Sequence, residues 1–187
     1  QRLDALEILT RVQDIVFDKT GTVTEDRLAL AETVTLDAGA RPLAVWRAMA
    51  VRLAGQSLHP LSRALVEAGS EPAGVAGALV LDQVVEQPGQ GLQAVVDTDA
   101  GRLDVRLGSA AWCGVPPDDV ESPRPAVWLA WRADDAAVWR AALRFEFDEV
   151  LRADAREGVA RLARAGLALH LYSGDQRGSV DAMAARL

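Results

Sequence analysis

The chain has 187 residues, of which half are hydrophobic and a quarter charged, a composition that is ordinary for a folded globular protein and excludes an intrinsically disordered one. Its formal net charge of -7 and its lack of any basic run argue against nucleic acid or an anionic membrane surface as a partner. The single cysteine, Cys113, cannot form an internal disulfide, and no apolar run is long enough to cross a bilayer. We therefore expect a cytosolic segment, and a first residue other than Met predicts that it comes from a longer protein.

Two apolar strands, one near each end of the chain, run directly into polar loops. The run 14–17 ends on Asp18, and the run 167–172 ends at Ser173 after a helical pattern over 150–165. A strand, a loop, a helix and a second strand in this order are typical of a doubly wound α/β sheet, which places its site at the carboxyl ends of parallel strands. We predict that both ends of the chain form one α/β domain.

The segment between these ends predicts an inserted α+β domain. Apolar residues at helical spacing indicate helices over 42–54 and 60–68. Runs with β character follow at 81–86, 92–98, 102–107, 126–132 and 136–145. Gly-rich and Asp-rich turns between these runs suit hairpins, so we expect an antiparallel sheet. The predicted division is residues 1–26 with 145–187 for the α/β domain and residues 27–144 for the insertion.

The heptapeptide DKTGTVT at residues 18–24 is the strongest functional signal. An aspartate at the tip of a buried strand can present its carboxylate to a phosphorus atom while backbone N–H groups of the next loop hold the phosphoryl oxygens. Gly21 lets the backbone come close, and Lys19, the only lysine in the chain, adds positive charge near the phosphates. An isolated Asp-Lys pair would be interpreted as a solvated loop, but seven residues in this order after a strand favour phosphoryl chemistry at Asp18.

This heptapeptide resembles the phosphorylation signature of P-type ATPases, Asp-Lys-Thr-Gly-Thr-Leu-Thr, with Val23 in place of Leu. The resemblance implies a phosphorylation domain of the haloacid-dehalogenase-like superfamily in which Asp18 becomes an aspartyl phosphate. It also implies a Mg²⁺ cofactor held by the Asp18 carboxylate and the Thr20 backbone carbonyl. Thr20 stands where related phosphatases carry a general-acid Asp, and losing that acid would slow hydrolysis of the phosphoenzyme.

Two further segments resemble parts of the same family's phosphorylation domain. Ser173, Gly174 and Asp175 are similar to its Thr-Gly-Asp element, which implies that the serine hydroxyl holds a phosphoryl oxygen. Alone, Ser-Gly-Asp is ordinary turn chemistry, but its place at the end of the second strand supports the functional interpretation. Residues 147–155 resemble the acidic-x-Leu-Arg segment that follows the insertion, with Glu149 where Asp is usual.

The insertion carries three short segments that resemble the nucleotide site of heavy-metal ATPases. His59 lies in Ser-Leu-His-Pro-Leu, similar to the Ser-Glu-His-Pro-Leu element whose histidine contacts adenine, and Leu58 replaces the glutamate. Gly89 and Gly91 match the Gly-x-Gly turn that lets a nucleotide approach the backbone, and Gly108 matches a glycine that completes the site. By themselves these residues would be a helix cap and hairpin turns, and only their order after Asp18 favours ATP binding.

The combined resemblance is to bacterial copper-transporting P-type ATPases linked to cytochrome oxidase assembly. It implies that the chain is the cytoplasmic part of an inner or plasma membrane protein, with ATP and Mg²⁺ as cofactors. It also implies partners outside the chain: transmembrane and actuator domains and the transported metal ion. The family's Lys and acidic pair that follow the Ser-Gly-Asp strand have no counterparts after Ser173, so we expect the chain alone to bind nucleotide without completing catalysis.

Two alternatives remain open from the residues alone. A soluble haloacid-dehalogenase-like phosphatase would use the same Asp18 chemistry with residues 27–144 as a cap domain. Thr20 and the ordered set of His59, Gly89 and Gly91 argue against it. The second alternative is a regulatory module that binds nucleotide without turnover.

Overall fold

The structure is a computed structural model, and it describes residues 7, 10–69, 79–98, 101–120, 124–133, 136–174 and 177–187. Two compact units make up the chain: Gln1–Arg27 with Glu149–Leu187, and Leu28–Asp148. The helices and strands in chain order are β1 (Asp14–Asp18), β2 (Thr24–Thr35), α1 (Leu43–Ala54), α2 (Pro60–Ala68), β3 (Val80–Gln87), β4 (Gly91–Thr98), β5 (Gly101–Gly108), β6 (Ala126–Ala133), β7 (Arg140–Leu151), α3 (Ala155–Arg164), β8 (Ala168–Tyr172) and α4 (Arg177–Ala184). None of these helices is long and apolar enough to span a membrane.

In the first unit β1 and β8 form a parallel pair, as the sequence predicts. Asp14 lies opposite Ala168 at one end of the pair, and Asp18 lies opposite Tyr172 at the other. The connection to β8 passes through α3, and the predicted glycine, Gly166, follows the end of that helix with φ at 84°. The parallel register brings the carboxyl ends of both strands, and the loops that follow them, to the same edge.

The second unit contains a six-stranded sheet with the order β2-β7-β6-β5-β4-β3. Each neighbouring pair from β3 to β7 is antiparallel, which confirms the predicted α+β insertion built on an antiparallel sheet. Helix α1 turns one face into the core, with Trp46, Met49 and Leu53 fully buried at helical spacing. Burying side chains of this size stabilises the unit by roughly 1.5 to 3 kcal/mol each. The core also contains residues of α2 and of the sheet, including Leu65, Leu92, Val105, Leu143, Phe145 and Phe147.

Three secondary-structure predictions were incomplete or wrong. The twelve-residue strand β2 was not predicted, although Leu28 and Leu30 alternate as half-buried residues along it. Strand β7 begins at Arg140 instead of 136, and it continues to Leu151 where a helix was predicted from 150. The strand extends because pairing goes on to its end: the Arg152 N–H donates to the Val23 carbonyl at 3.1 Å. Two of the predicted hairpin turns, the Asp-rich turns at 99–101 and 134–135, include residues outside those described.

Candidate nucleotide and phosphorylation sites

Asp18 is the last residue of β1 and its side chain is exposed. Its backbone is extended, with φ at -72° and ψ at 140°, and the five-residue turn Lys19–Val23 follows it. Gly21 has φ at 74°, a region that favours glycine, and a Cβ there would meet no atom within 4 Å. The backbone conformation therefore favours glycine at this position, and the Asp18 side chain ahead of the turn is exposed.

Thr24 closes this turn from the inside. It is fully buried, its Oγ1 donates a hydrogen bond to the Lys19 carbonyl at 3.2 Å, and it accepts one from the Gly21 N–H at 3.4 Å. The last threonine of the heptapeptide thus fixes the loop behind Asp18, a structural role that the sequence analysis did not assign. The motif residue Thr20 has an exposed side chain and an extended backbone conformation.

Lys19 was predicted to add positive charge near the phosphates, but its side chain is buried. Its side chain is 1% exposed, and its Nζ lies 2.6 Å from Oε1 of Glu149, a side chain that is 23% exposed. The ammonium group is therefore held inside the unit by a carboxylate from the segment after the insertion. This ion pair joins the turn Lys19–Val23 to the end of β7, so Glu149 helps to hold that turn in place.

The second loop of this unit follows β8. Because β1 and β8 are in register up to Asp18 and Tyr172, Ser173 leaves the sheet at the same edge as Lys19. Ser173 is half-buried and Gly174 is exposed. The predicted site residue Asp175 lies outside the described residues.

The second unit has a cavity of about 250 Å³ where three chain segments meet. His59 lines it from the segment ahead of α2, Gly89 and Gly91 from the β3–β4 turn, and Gly108 from the end of β5. The structure thus brings all four residues predicted for nucleotide binding to one cavity. Leu58, which is 91% exposed, points its side chain to solvent.

His59 is oriented by the start of α2. Its Nδ1 accepts a hydrogen bond from the Leu61 N–H at 3.3 Å, so the ring caps the helix. A neutral imidazole whose Nδ1 accepts carries its proton on Nε2. His59 can therefore offer an N–H donor from its exposed ring to a ligand acceptor.

Ser57 holds the same segment to the edge strand β3. The side chain is 8% exposed, and its Oγ accepts the His59 N–H at 3.1 Å while donating to Oε1 of Glu86 at 2.6 Å. Both Ser57 and Glu86 line the cavity. This pair was not predicted from the sequence: Ser57 opens the Ser-Leu-His-Pro-Leu segment, but Glu86 lies on another element and in none of the motifs.

The glycines of the cavity meet two different requirements. Gly91 and Gly108 lie opposite each other in the β4–β5 pair, and a Cβ on either would collide with the backbone: with the Leu107 carbonyl for Gly91 and with the Gln90 carbonyl for Gly108. Gly89 has φ at 74° with open space around its Cα. Gly91 and Gly108 therefore line the cavity with backbone atoms only. The Ser109 N–H links the two segments by donating to the Gln90 carbonyl at 2.8 Å.

We searched the described part of the chain for metal-binding clusters and for a reactive thiol. No group of three or more His, Cys, Asp or Glu side chains there could hold a metal ion. Cys113 is fully buried, its Sγ donates to the Trp128 carbonyl at 3.3 Å, and burial raises the pKa of the thiol to about 12. Cys113 is thus a packing residue.

Comparison with solved structures identifies the fold. The chain superposes on a zinc-transporting PIB-type ATPase in the E2.Pi state with a TM-score of 0.74 and 23% identity, covering 98% of this chain and 29% of that one. It matches the catalytic domain of the CPx-ATPase CopB-B with a TM-score of 0.65 and 16% identity, covering 100% of this chain and 64% of that one. The chain therefore has the fold found in the catalytic part of these P-type ATPases.

Curated relatives narrow the class further, although no protein-family model matches the chain. Nitrogen fixation protein FixI of Rhizobium leguminosarum bv. viciae is 39% identical over 95% of this chain, which covers 21% of that protein. The probable copper-transporting ATPase SynA of Synechococcus elongatus is 32% identical over 98% of this chain, which covers 22% of that protein. The chain belongs to the heavy-metal P-type ATPases and spans about a fifth of the length of the curated relatives it matches.

Proposed function

We propose that this chain binds ATP in the cavity of the second unit and receives the γ-phosphate on Asp18. The phosphorylation would drive transport of a heavy-metal ion, with copper as the proposed ion, across a membrane. The second unit would be the nucleotide-binding domain and the first unit part of the phosphorylation domain. The observation that carries the proposal is the convergence of His59, Gly89, Gly91 and Gly108, from three separate segments, on one cavity. This convergence supports a shared binding role for the four residues over separate roles as a helix cap and hairpin turns.

The cavity has the groups that a nucleotide requires. Nε2–H of His59 can donate to a ring nitrogen of adenine, and the backbone at Gly91 and Gly108 is bare enough for the sugar and phosphates to approach it. Few convergent polar groups on a largely backbone and apolar surface are typical of small-molecule sites. ATP binding here is the function that this geometry supports best.

Asp18 has the placement of a nucleophile for phosphoryl transfer. One carboxylate oxygen would form a bond to the γ-phosphorus while the bond from that phosphorus to the β–γ bridging oxygen breaks, releasing ADP. The Asp18 carboxylate is exposed, and Ser173 and Gly174 follow β8 at the same edge of the sheet, where they would contact the phosphoryl oxygens. Asp175 would complete that loop.

The implied Mg²⁺ fits the chemistry of this edge. The Asp18 carboxylate is exposed and the Thr20 backbone is extended, and both would offer hard oxygen ligands of the kind that Mg²⁺ prefers. Bound there with phosphate oxygens and water, the ion would neutralise charge on the transferring group. Asp18 and Thr20 are thus proposed both as the reacting segment and as the chain's own metal ligands.

Copper as the transported ion is supported by one relative, the probable copper-transporting ATPase SynA. The ion would bind outside this chain, in transmembrane segments, and an actuator domain would complete the cycle. The chain would then lie on the cytoplasmic side of the membrane.

The test is covalent labelling of Asp18 in the full-length parent protein. Incubation with Mg²⁺ and γ-labelled ATP should give an acid-stable, hydroxylamine-sensitive label that Asp18→Asn abolishes while ATP binding persists. Asp154→Asn is the matched control, because Asp154 is an exposed acid of the same unit and should leave the label intact. Undiminished label in Asp18→Asn would overturn the proposal.

A further inference from the structure

Glu86 places a carboxylate at the edge of the same cavity, on the outermost strand of the sheet. It belongs to none of the segments that indicated nucleotide binding. We propose that Glu86 is a specificity-determining residue that accepts a hydrogen bond from the 6-amino group of adenine and so selects ATP over 6-oxo purine nucleotides. This inference rests on the proposed ATP binding and adds a residue that sets the choice of base.

The carboxylate of Glu86 is anchored at one oxygen. Oε1 of Glu86 lies 2.6 Å from Oγ of Ser57 and accepts the hydroxyl proton of that serine. Oγ of Ser57 in turn accepts a hydrogen bond from the His59 N–H. Glu86 is thereby tied through one serine to the segment that carries His59. The two polar groups that face the ligand are held in a fixed relation before any nucleotide binds, which reduces the entropy lost on binding.

The anchoring decides which base fits. With Oε1 engaged by Ser57, Glu86 has mainly Oε2 to offer, a single acceptor that matches the single 6-amino group of adenine. Guanine would satisfy a carboxylate with two adjacent donors, N1–H and the 2-amino group, which requires both oxygens together. The 6-oxo group of guanine or hypoxanthine is itself an acceptor, so it would repel Oε2 if it took the place of the amino group.

The histidine complements this arrangement. Its Nε2–H is a donor and Glu86 is an acceptor, and the edge of adenine presents ring nitrogen acceptors beside its amino donor. A base with the opposite polarity at position 6 would leave Glu86 desolvated and unpaired. Hydrogen bonds to charged groups are among the stronger ones, so the discrimination should be about ten-fold or more in dissociation constant.

The experiment is calorimetric titration of the 187-residue chain with ATP, with purine riboside 5′-triphosphate, which lacks the 6-amino group, and with ITP. The wild-type chain should bind ATP about ten-fold more tightly than either analogue. In Glu86→Gln the amide oxygen should take the hydrogen bond from Ser57 and turn the NH₂ group toward the base. ATP should then lose its advantage over purine riboside triphosphate, and ITP should gain relative to ATP.

Asp82→Asn is the matched control, because it removes the same charge from the same strand at an exposed residue that does not line the cavity. It should keep the wild-type order of the three nucleotides. If wild-type chain binds ATP but Glu86→Gln keeps the wild-type ratios, the role of Glu86 is wrong while the proposed function stands. If the wild-type chain binds none of the three nucleotides, the proposed function itself fails.

Discussion

Gly91 and Gly108 face each other across the β4–β5 pair, and a Cβ on either residue would collide with backbone atoms of the opposite segment. A Cβ on Gly91 would lie 2.6 Å from the Cα of Gly108, and one on Gly108 would lie 2.9 Å from the Trp112 ring. Gly89, two residues earlier, has no atom within 4 Å of such a Cβ. The Gly-x-Gly segment therefore combines one glycine required by packing with one required only by its backbone angle.

Gly108→Ala should be strongly destabilising and Gly89→Ala should not. The alanine methyl at position 108 meets backbone that cannot rotate away, so we expect a loss of roughly 2 to 4 kcal/mol in unfolding free energy. At position 89 only the positive φ opposes alanine, which costs roughly 1 to 2 kcal/mol. Urea unfolding of the two variants measures the difference, and equal losses would contradict the packing account.

Breaking the Lys19–Glu149 pair should destabilise the first unit, because the buried ammonium group loses the carboxylate that lies 2.6 Å from it. Lys19→Met should restore most of the stability of Glu149→Gln when the two changes are combined, since the buried charge is then gone. Removing one partner of a buried ion pair typically costs roughly 3 to 5 kcal/mol, and the partial exposure of Glu149 sets the expected loss at or below the low end. Thermal unfolding of the single and double variants is the measurement, and additive losses would argue against the pair.

His59→Gln should weaken ATP binding by roughly 1 to 3 kcal/mol, the range for losing a hydrogen-bond partner at a desolvated site. The chain should still fold because the side chain is exposed, with a loss of roughly 0.5 to 2 kcal/mol in stability from the helix cap that His59 provides. His170→Gln, at the other histidine of the chain, is the control and should bind ATP like the wild type. Calorimetry compares the three proteins, and equal affinity of His59→Gln and wild type would remove His59 from the site.

Cys113 should make stability fall at alkaline pH. Burial raises the pKa of its thiol from 9.0 to about 12 in the folded chain, so the unfolded chain releases this proton first as pH rises. The thiol's contribution is fully present below about pH 9 and is lost progressively between that pH and 12. Cys113→Ala should be less stable below about pH 9, because it loses packing, and should show a shallower decline over this window in urea unfolding. An identical slope in both proteins would contradict the assignment.

The sequence predicted best those features in which a local rule and a motif coincide. Asp18 was placed at a strand end because an apolar run stops there, and the parallel partner was predicted from a second run of the same kind. His59 was predicted ahead of a helix because Pro60 favours the first helical turn. In each case a few consecutive residues contain the whole signal.

Contacts between distant residues could not be predicted in the same way. Lys19 and Glu149 are 130 positions apart, and one lysine could in principle meet any of the chain's acids. The Ser57–Glu86 hydrogen bond depends on β3 being the edge strand beside the start of α2, which is a property of the sheet order. Strand β2 was missed because charged and polar residues interrupt its apolar alternation, and its pairing with β7 is set by the tertiary fold.

The most direct test of nucleotide binding in this cavity is an NMR titration of the ¹⁵N-labelled chain with ATP. We predict saturable shift changes concentrated at the amides of His59, Gly89, Gly91, Gly108 and Ser109, which line the cavity from three segments. The amides of α3, in the other unit, should remain unshifted. Absence of saturable changes, or changes confined to residues away from the cavity, would contradict the assignment of this unit as the nucleotide-binding domain.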